Sequence, residues 1–278
     1  MGIFDFKQRH SNYINLKIGV INVKIGIIGF GNLGRSLSSA LIQSSSAGQG
    51  DIYICEKLPE ARAVAENAPY YAHVSEDINF IISNADVVFL AVKGYVFETL
   101  SKEIDTRLLE GKTVVSCMAG ETFEKIYSLI GNVNLVRAMP NLSIASCDGI
   151  IAYTKSPPEL EEIFRKFGYA FKTEPDNIEN VMAFSACGLG YAAYLIDAFA
   201  VAGEMLGFSI EQAAHIAKLT FNNAVERGSF KDTVKAVSTP GGATEQGVNY
   251  MDACNVHGIV ADAVRKAYER MTIGTVKQ

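Results

Sequence analysis

The stretch from Lys24 to Ser39, KIGIIGFGNLGRSLSS, restricts the fold more than any other part of the chain. A short apolar run, Ile25 to Ile28, ends at Gly29, and glycine recurs at Gly31 and Gly34. Leu33, Leu37, Ala40 and Leu41 then repeat at helical spacing. A strand, a glycine turn and an amphipathic helix, in that order, make a dinucleotide-binding turn. Gly29 permits the tight turn, Gly31 lets a pyrophosphate approach the backbone, and Gly34 lets the helix pack closely on its strand. Unpaired N–H groups and the positive dipole end at the helix start would face the phosphates. The candidate cofactor-binding residues of this segment are Gly29, Phe30, Gly31, Asn32, Leu33 and Gly34.

Composition narrows the function classes. With 278 residues there is room for one large or two ordinary domains with an ample core. A net charge of −5 argues against nucleic acid as a main partner. Charged or turn residues interrupt the apolar runs before ~18 positions, so no membrane span is expected. The first twenty residues lack the pattern of a secretory signal, and a cytoplasmic location is expected. The five cysteines (Cys55, Cys117, Cys147, Cys187, Cys254) form no C-x-x-C pair, which suits free thiols in a reducing compartment. Four histidines and no H-E-x-x-H give no reason to expect a metal.

Residues 1–23 show no clear period and are read as an N-terminal extension. Ile52 to Cys55 reads as a second strand with Glu56-Lys57 at its tip. A carboxylate there grips the adenosine ribose hydroxyls of NAD, whereas a base accepts the 2′-phosphate of NADP. The chain offers both, so the cofactor is NADP or NAD, with Glu56 tilting the choice towards NAD. A helix is expected from Pro59 to Ala68, a strand from Tyr70 to His73, and a helix capped by Ser75. Val87–Val92, Thr113–Cys117, Asn134–Ala138, Ile150–Thr154 and Tyr169–Thr173 read as further strands, with helices from Glu121 and over 157–167. Strands alternating with helices at this spacing predict an α/β fold, a Rossmann-type doubly wound and mainly parallel sheet over 24–174. Ligands bind off the carboxyl ends of such strands, which adds Glu56, Lys57, Ala91, Val92, Lys93, Ala119, Gly120 and Asn141 to the cofactor candidates.

From residue 175 to 278 the character turns helical. Ile178–Leu206 reads as a long apolar helix broken softly near Gly188 and Gly190. Ser209 caps a second helix that reaches about Arg227, and a third helical stretch runs from Asn249 to Met271. These helices are apolar over more of their circumference than a small monomeric bundle can bury, so either they pack on the first domain or they form an all-helical dimerisation domain, and the dimer is expected. Between them lies Lys235–Gly247, KAVSTPGGATEQG. Its glycine nest leading into a helix start is an anion site sized for a carboxylate, or simply a helix entry.

Over residues 24–272 the chain resembles the pyrroline-5-carboxylate reductase family. The likeness rests on IGIIGFGNLGRSL, LAVK (Leu90–Lys93), VSCMAG (Val115–Gly120), VRAMPN (Val136–Asn141), EMLGFSIEQAAHIA (Glu204–Ala217) and, most specifically, STPGGAT (Ser238–Thr244). The resemblance implies hydride transfer from NAD(P)H to the C=N carbon of a cyclic imine, giving proline, in a homodimer or a larger oligomer built from dimers. It implies a substrate carboxylate held by the loop Thr239, Gly241, Gly242, Ala243 and Thr244, with the catalytic Thr244 hydroxyl on the ring nitrogen. The chain departs from the family's usual pattern at Gly94, where proline is common, at Leu189 in the helix break, at Lys235-Ala236 ahead of the loop, and at Glu245. Another cyclic imine, or a non-catalytic nucleotide-binding homologue, are the alternatives. A 3-hydroxyacid dehydrogenase of similar layout would need a catalytic lysine in the first long helix, and residues 178–207 contain none.

Overall fold

The computed structural model describes residues 23–48, 50–68, 71 and 73–272. The expected N-terminal extension lies outside these residues except for Val23. The chain divides into two compact units, one of residues 23–187 with 265–272 and one of residues 188–264.

The first unit runs β1 (Ile25–Ile28), α1 (Asn32–Gln43), β2 (Ile52–Cys55), α2 (Pro59–Glu66), β3 (His73–Ser75), α3 (Ile78–Asn84) and β4 (Val87–Leu90). It continues with α4 (Gly94–Leu100), β5 (Thr113–Ser116), α5 (Phe123–Ile130), β6 (Asn134–Pro140), β7 (Gly149–Tyr153), α6 (Pro158–Lys166) and β8 (Gly168–Lys172). The strands form one sheet in the order β3-β2-β1-β4-β5-β6-β7-β8. β1 to β6 are parallel, β7 is antiparallel to β6, and β8 runs parallel to β7. Successive side chains of a strand face opposite sides, so continuous apolar runs suit a sheet covered on both faces. Ile25, Ile27, Ile52, Ile54, Phe89 and Val115 join one core with residues of α1 and α6. Ile28, Tyr53, Val88, Leu90 and Val114 join the other with residues of α3, α4 and α5. Strand order changes direction beside β1, where β2 lies on one side and β4 on the other. That switch point opens a crevice at the carboxyl ends of β1 and β4.

Two expected helix starts move. Ser75 ends β3, and Asp77 caps α3 because its Oδ1 accepts from both Asn79 and Phe80 N–H. Residues 70 and 72 of the strand expected at 70–73 lie outside the described residues, and the observed ladder is His73–Ser75. Thr122 caps α5, leaving Glu121 outside the helix and in the turn before it.

The helical part starts on the sheet. α7 (Ile178–Val181) places Ile178 against Met139 and Ala152, then a π-helical turn over Met182–Ala186 leads into α8 (Cys187–Met205). The break expected at Gly188 and Gly190 therefore falls just earlier, and it is a widened turn. α9 (Ile210–Glu226) carries the expected cap at Ser209, completed as a capping box by Gln212. α10 (Phe230–Val237) was not expected; it is short and its N–H groups are served by Ser229. α11 (Ala243–Ala253) and α12 (Val256–Thr272) replace the single stretch expected from Asn249, because Asn255 takes a positive φ of 52° between them. The expectation of no membrane-length segment is also corrected. The helical run Pro175–Met205 holds an 18-residue window of mean hydropathy 1.4, long and apolar enough to cross a bilayer by length and composition alone.

Arg137 of β6 ties the sheet to α7. It is 3% exposed, and its Nη2 donates to Glu179 Oε1 at 2.6 Å and to the Met118 carbonyl at 3.1 Å. Removing one partner of a buried pair strands the other charge, which costs about 3–5 kcal/mol. Glu179→Ala is expected to lower unfolding stability by about that amount, measured by denaturant titration, whereas a joint Arg137→Met, Glu179→Leu variant should recover most of the loss.

Candidate active site

The nucleotide edge is built by missing side chains. Gly29 takes φ +98°, and a Cβ there would press on Val92 and the Ala91 carbonyl at the tip of β4. A Cβ at Gly34 would overlap the carbonyl oxygen of Gly29, so α1 can approach β1 only with glycine at this position. In front of Gly31 there is open space, with nothing within 4 Å of an added Cβ. Gly31 is also the N-cap of α1, with no side-chain cap and no acidic residue in the first turn. The first N–H groups of a twelve-residue helix therefore stay available to an anion. This cradle fits a dinucleotide pyrophosphate.

The remaining cofactor candidates divide. Asn32, Lys93 and Gly120 are exposed, and Leu33, Ala91, Val92 and Ala119 half-buried, on the loops that follow β1, β4 and β5. Phe30 points the other way: its ring is 2% exposed and packs edge-on against Tyr71 at 5.4 Å. Its backbone N–H donates to Glu56 Oε2 at 2.7 Å, while Leu58 N–H donates to Glu56 Oε1 at 2.8 Å. Lys57 leans to Glu103, with Nζ 2.6 Å from Oε1. Asn141 is 7% exposed and latches β6 to β7, its Oδ1 accepting Ile150 N–H at 3.0 Å. Cys117, next to this edge, is fully buried, and burial pushes its thiol up to about 12, so it holds no thiolate at neutral pH.

The sequence reading missed two features. Arg35, exposed on the first turns of α1, donates Nε to the Phe30 carbonyl at 3.1 Å and lies 5.6 Å from that ring's centroid. Glu121, 9% exposed, lays its carboxylate where any side chain of Gly94 would stand. Glu121 is 3.1 Å from Lys125 Nζ, which also meets Glu98 at 2.6 Å. Hydrogen bonding to Glu98, joined by Glu121, raises the Lys125 ammonium above its ordinary value and keeps the chain charged. The only sequence signal was the glycine at 94, which needs no positive φ and so answers to space alone.

The second unit carries the candidate substrate loop at the junction of α10 and α11. Gly241 takes φ +73°, and Gly242 is the N-cap of α11. The sequence places the anion on the N–H groups of the loop from Thr239 to Thr244, and two of these are engaged within the loop. Gly241 N–H donates to Glu245 Oε2 at 2.8 Å, and Gly242 N–H to the Thr239 carbonyl at 2.8 Å. At the head of α11 the first N–H groups, among them those of Ala243 and Thr244, have no backbone partner, and the helix ladder begins with Gln246 N–H donating to the Gly242 carbonyl at 3.2 Å. Thr244 is exposed in that first turn and is not its cap, since Gly242 holds that position without a side chain. Thr239 is exposed as well, its hydroxyl beside Gly242.

Gly94→Ala should force the Glu121 carboxylate off its lysine, an overpacking that costs about 1–3 kcal/mol. Thermal denaturation is expected to show that loss, and Gly94→Ala with Glu121→Ala to regain most of it. Equal losses in the single and double variants would mean that the carboxylate is not what excludes a side chain at 94.

Comparison with known proteins matches both halves. Residues 175–272 match the family model described as pyrroline-5-carboxylate reductase dimerisation, and residues 24–120 that described as NADP oxidoreductase coenzyme F420-dependent. Pyrroline-5-carboxylate reductase of Aquifex aeolicus is 28% identical over 265 residues, 90% of this chain and 97% of that protein. The crystal structure of Plasmodium falciparum pyrroline carboxylate reductase with NADP bound superposes with a TM-score of 0.83 at 20% identity, over 92% of this chain and 99% of that one. A pyrroline-5-carboxylate reductase of Coxiella burnetii gives 0.76 at 25% identity, over 90% and 97%. With a match to an NADP oxidoreductase model in residues 24–120 and to a pyrroline-5-carboxylate reductase dimerisation model in residues 175–272, the chain is similar to pyrroline-5-carboxylate reductases over nearly the full length of these relatives.

Proposed function

We propose that the protein reduces 1-pyrroline-5-carboxylate to L-proline with NADH or NADPH. One observation carries the substrate assignment: the head of α11 offers free Ala243 and Thr244 N–H groups beside an exposed Thr244 hydroxyl. Two backbone donors at a helix N-terminus suit a carboxylate. A hydroxyl one residue away suits the ring nitrogen next to that carboxylate. When bound, the nicotinamide would supply the hydride for the C=N carbon. Thr244 accepts the iminium N–H and holds the ring while the C=N electron pair moves onto nitrogen, so no strong acid is needed. Thr239 bounds the loop on its other side, and the residues around Gly29–Gly34, Ala91–Lys93 and Ala119–Gly120 would hold the dinucleotide.

Assembly belongs to the same reading. Tyr194, Met205, Leu206, Ile210, Val225 and Tyr250 are each more than 60% exposed on the helical unit. A monomer rarely leaves so much apolar surface in water. A homodimer burying more than about 2,000 Å2 through these helices would cover it, as obligate dimers do. Such an interface also accounts for the bilayer-like hydropathy of Pro175–Met205. A cytoplasmic location suits five cysteines that are all free. Light scattering across a dilution series is expected to show a dimer or a multiple of it; a folded, active monomer would overturn the assembly.

The catalytic test is Thr244→Ala. Loss of a transition-state hydrogen bond in a water-poor site should cost about 2–4 kcal/mol in kcat/KM, and Thr244→Ser should restore much of it. Because Gly242 is the cap, melting temperature should barely move. Pyrroline-5-carboxylate run beside the six-membered piperideine carboxylate fixes the ring. Unchanged kcat/KM in the alanine variant would remove Thr244 from the reaction.

A further inference from the structure

The adenosine end of the cradle holds a charge arrangement that bears on which dinucleotide it takes. Glu56 directly follows β2, and both carboxylate oxygens are pinned, one by Phe30 N–H and one by Leu58 N–H. A carboxylate has about four lone-pair sites, so each oxygen keeps room for a ribose hydroxyl. Held from two sides, it cannot swing away from a second negative group.

The nearby cations are engaged elsewhere. Lys57 sits on both oxygens of Glu103, at 2.6 and 2.5 Å. Arg62 pairs with Glu76 at 2.7 Å and Glu66 at 3.5 Å. Arg35 is tied by Nε to the Phe30 carbonyl. Adding Asp77, which caps α3, these tips carry five carboxylates against three cations. A 2′-phosphate, with close to two negative charges, would enter a region already net negative and would meet Glu56 first.

We infer that this chain selects NADH over NADPH, and that Glu103 is a specificity-determining residue because it holds Lys57 away from the ribose. The inference rests on the dinucleotide reading of the glycine cradle and not on the identity of the imine. The two contributions differ in size. The Lys57–Glu103 pair is 41% and 47% exposed, so its hold is that of a surface pair, worth up to about five-fold. Glu56 contributes more, since its removal deletes a charge and also frees Phe30 and Leu58 N–H to receive phosphate oxygens.

The test uses calorimetric titration of the purified full chain with ADP-ribose and with its 2′-phosphate, beside kcat/KM for NADH and NADPH. ADP-ribose is expected to bind at least about ten-fold more tightly. Glu103→Gln should narrow that ratio up to about five-fold, and Glu56→Ser should erase or invert it. A wild type that binds the 2′-phosphate as well or better overturns the inference. So does a ratio that neither substitution changes; Glu103→Gln, on an exposed pair, keeps the test open where Glu56→Ser fails to fold. A chain that prefers ADP-ribose yet reduces neither imine carboxylate would sink the proposed reaction and leave this inference standing.

Discussion

No side chain fits between Gly29 and Gly34, and the nucleotide edge depends on that exclusion. With a Cβ at Gly34, α1 would ride up from β1 and the first N–H groups of the helix would turn off the crevice, while a Cβ at Gly29 would push against Val92 and the Ala91 carbonyl. The same closeness seats Val92 and the Ala91 carbonyl against Gly29, so the tips of β1 and β4 are fixed to one another at the switch point. Glu56 extends the frame to β2 by accepting the Phe30 N–H. Glycine is thus used where backbone must touch backbone, and a carboxylate where one loop must be tied to the next.

Much of this was legible in the sequence because its causes are local. A glycine turn between an apolar run and an amphipathic helix has few structural solutions, and six parallel strands followed from alternation with helices. The reversal of β7 was not legible: its apolar pattern is the same in either direction, and the antiparallel ladder is completed at one end by the latch between Asn141 and Ile150. α10 escaped for want of length, and the break between α11 and α12 escaped because the positive φ at Asn255 leaves no mark in the apolar pattern. At the site, the residue types of the substrate loop were readable while its donors were not. Glu245 reaches back four residues to consume Gly241 N–H, which moves the free donors two residues on. The partnership of Lys57 with Glu103, 46 residues apart, leaves no trace in spacing at all.

The helical part shows a different economy. α8 has a single buried residue, Ala200, although its mean character is strongly apolar. Its entry through a π-helical turn offsets its side chains from those of α7, so that the first turns can belong to the sheet while the rest faces outward. With no proline in this bend, the chain reaches it by inserting a residue into the helix.

The last helix gives the first unit an unusual history of synthesis. Met271, near the end of α12, brings its carbonyl to Gly120, where an added Cβ would stand 2.6 Å away. Residues 265–272 belong to the unit that begins with β1, while residues 188–264 form the other. Domains generally fold as they leave the ribosome, amino-terminal first. Here the turn after β5 waits for α12, so the nucleotide-binding unit is completed only after residues 188–264 of the helical unit have been made. Circular permutation that joins α12 directly behind the sheet strands would remove that wait.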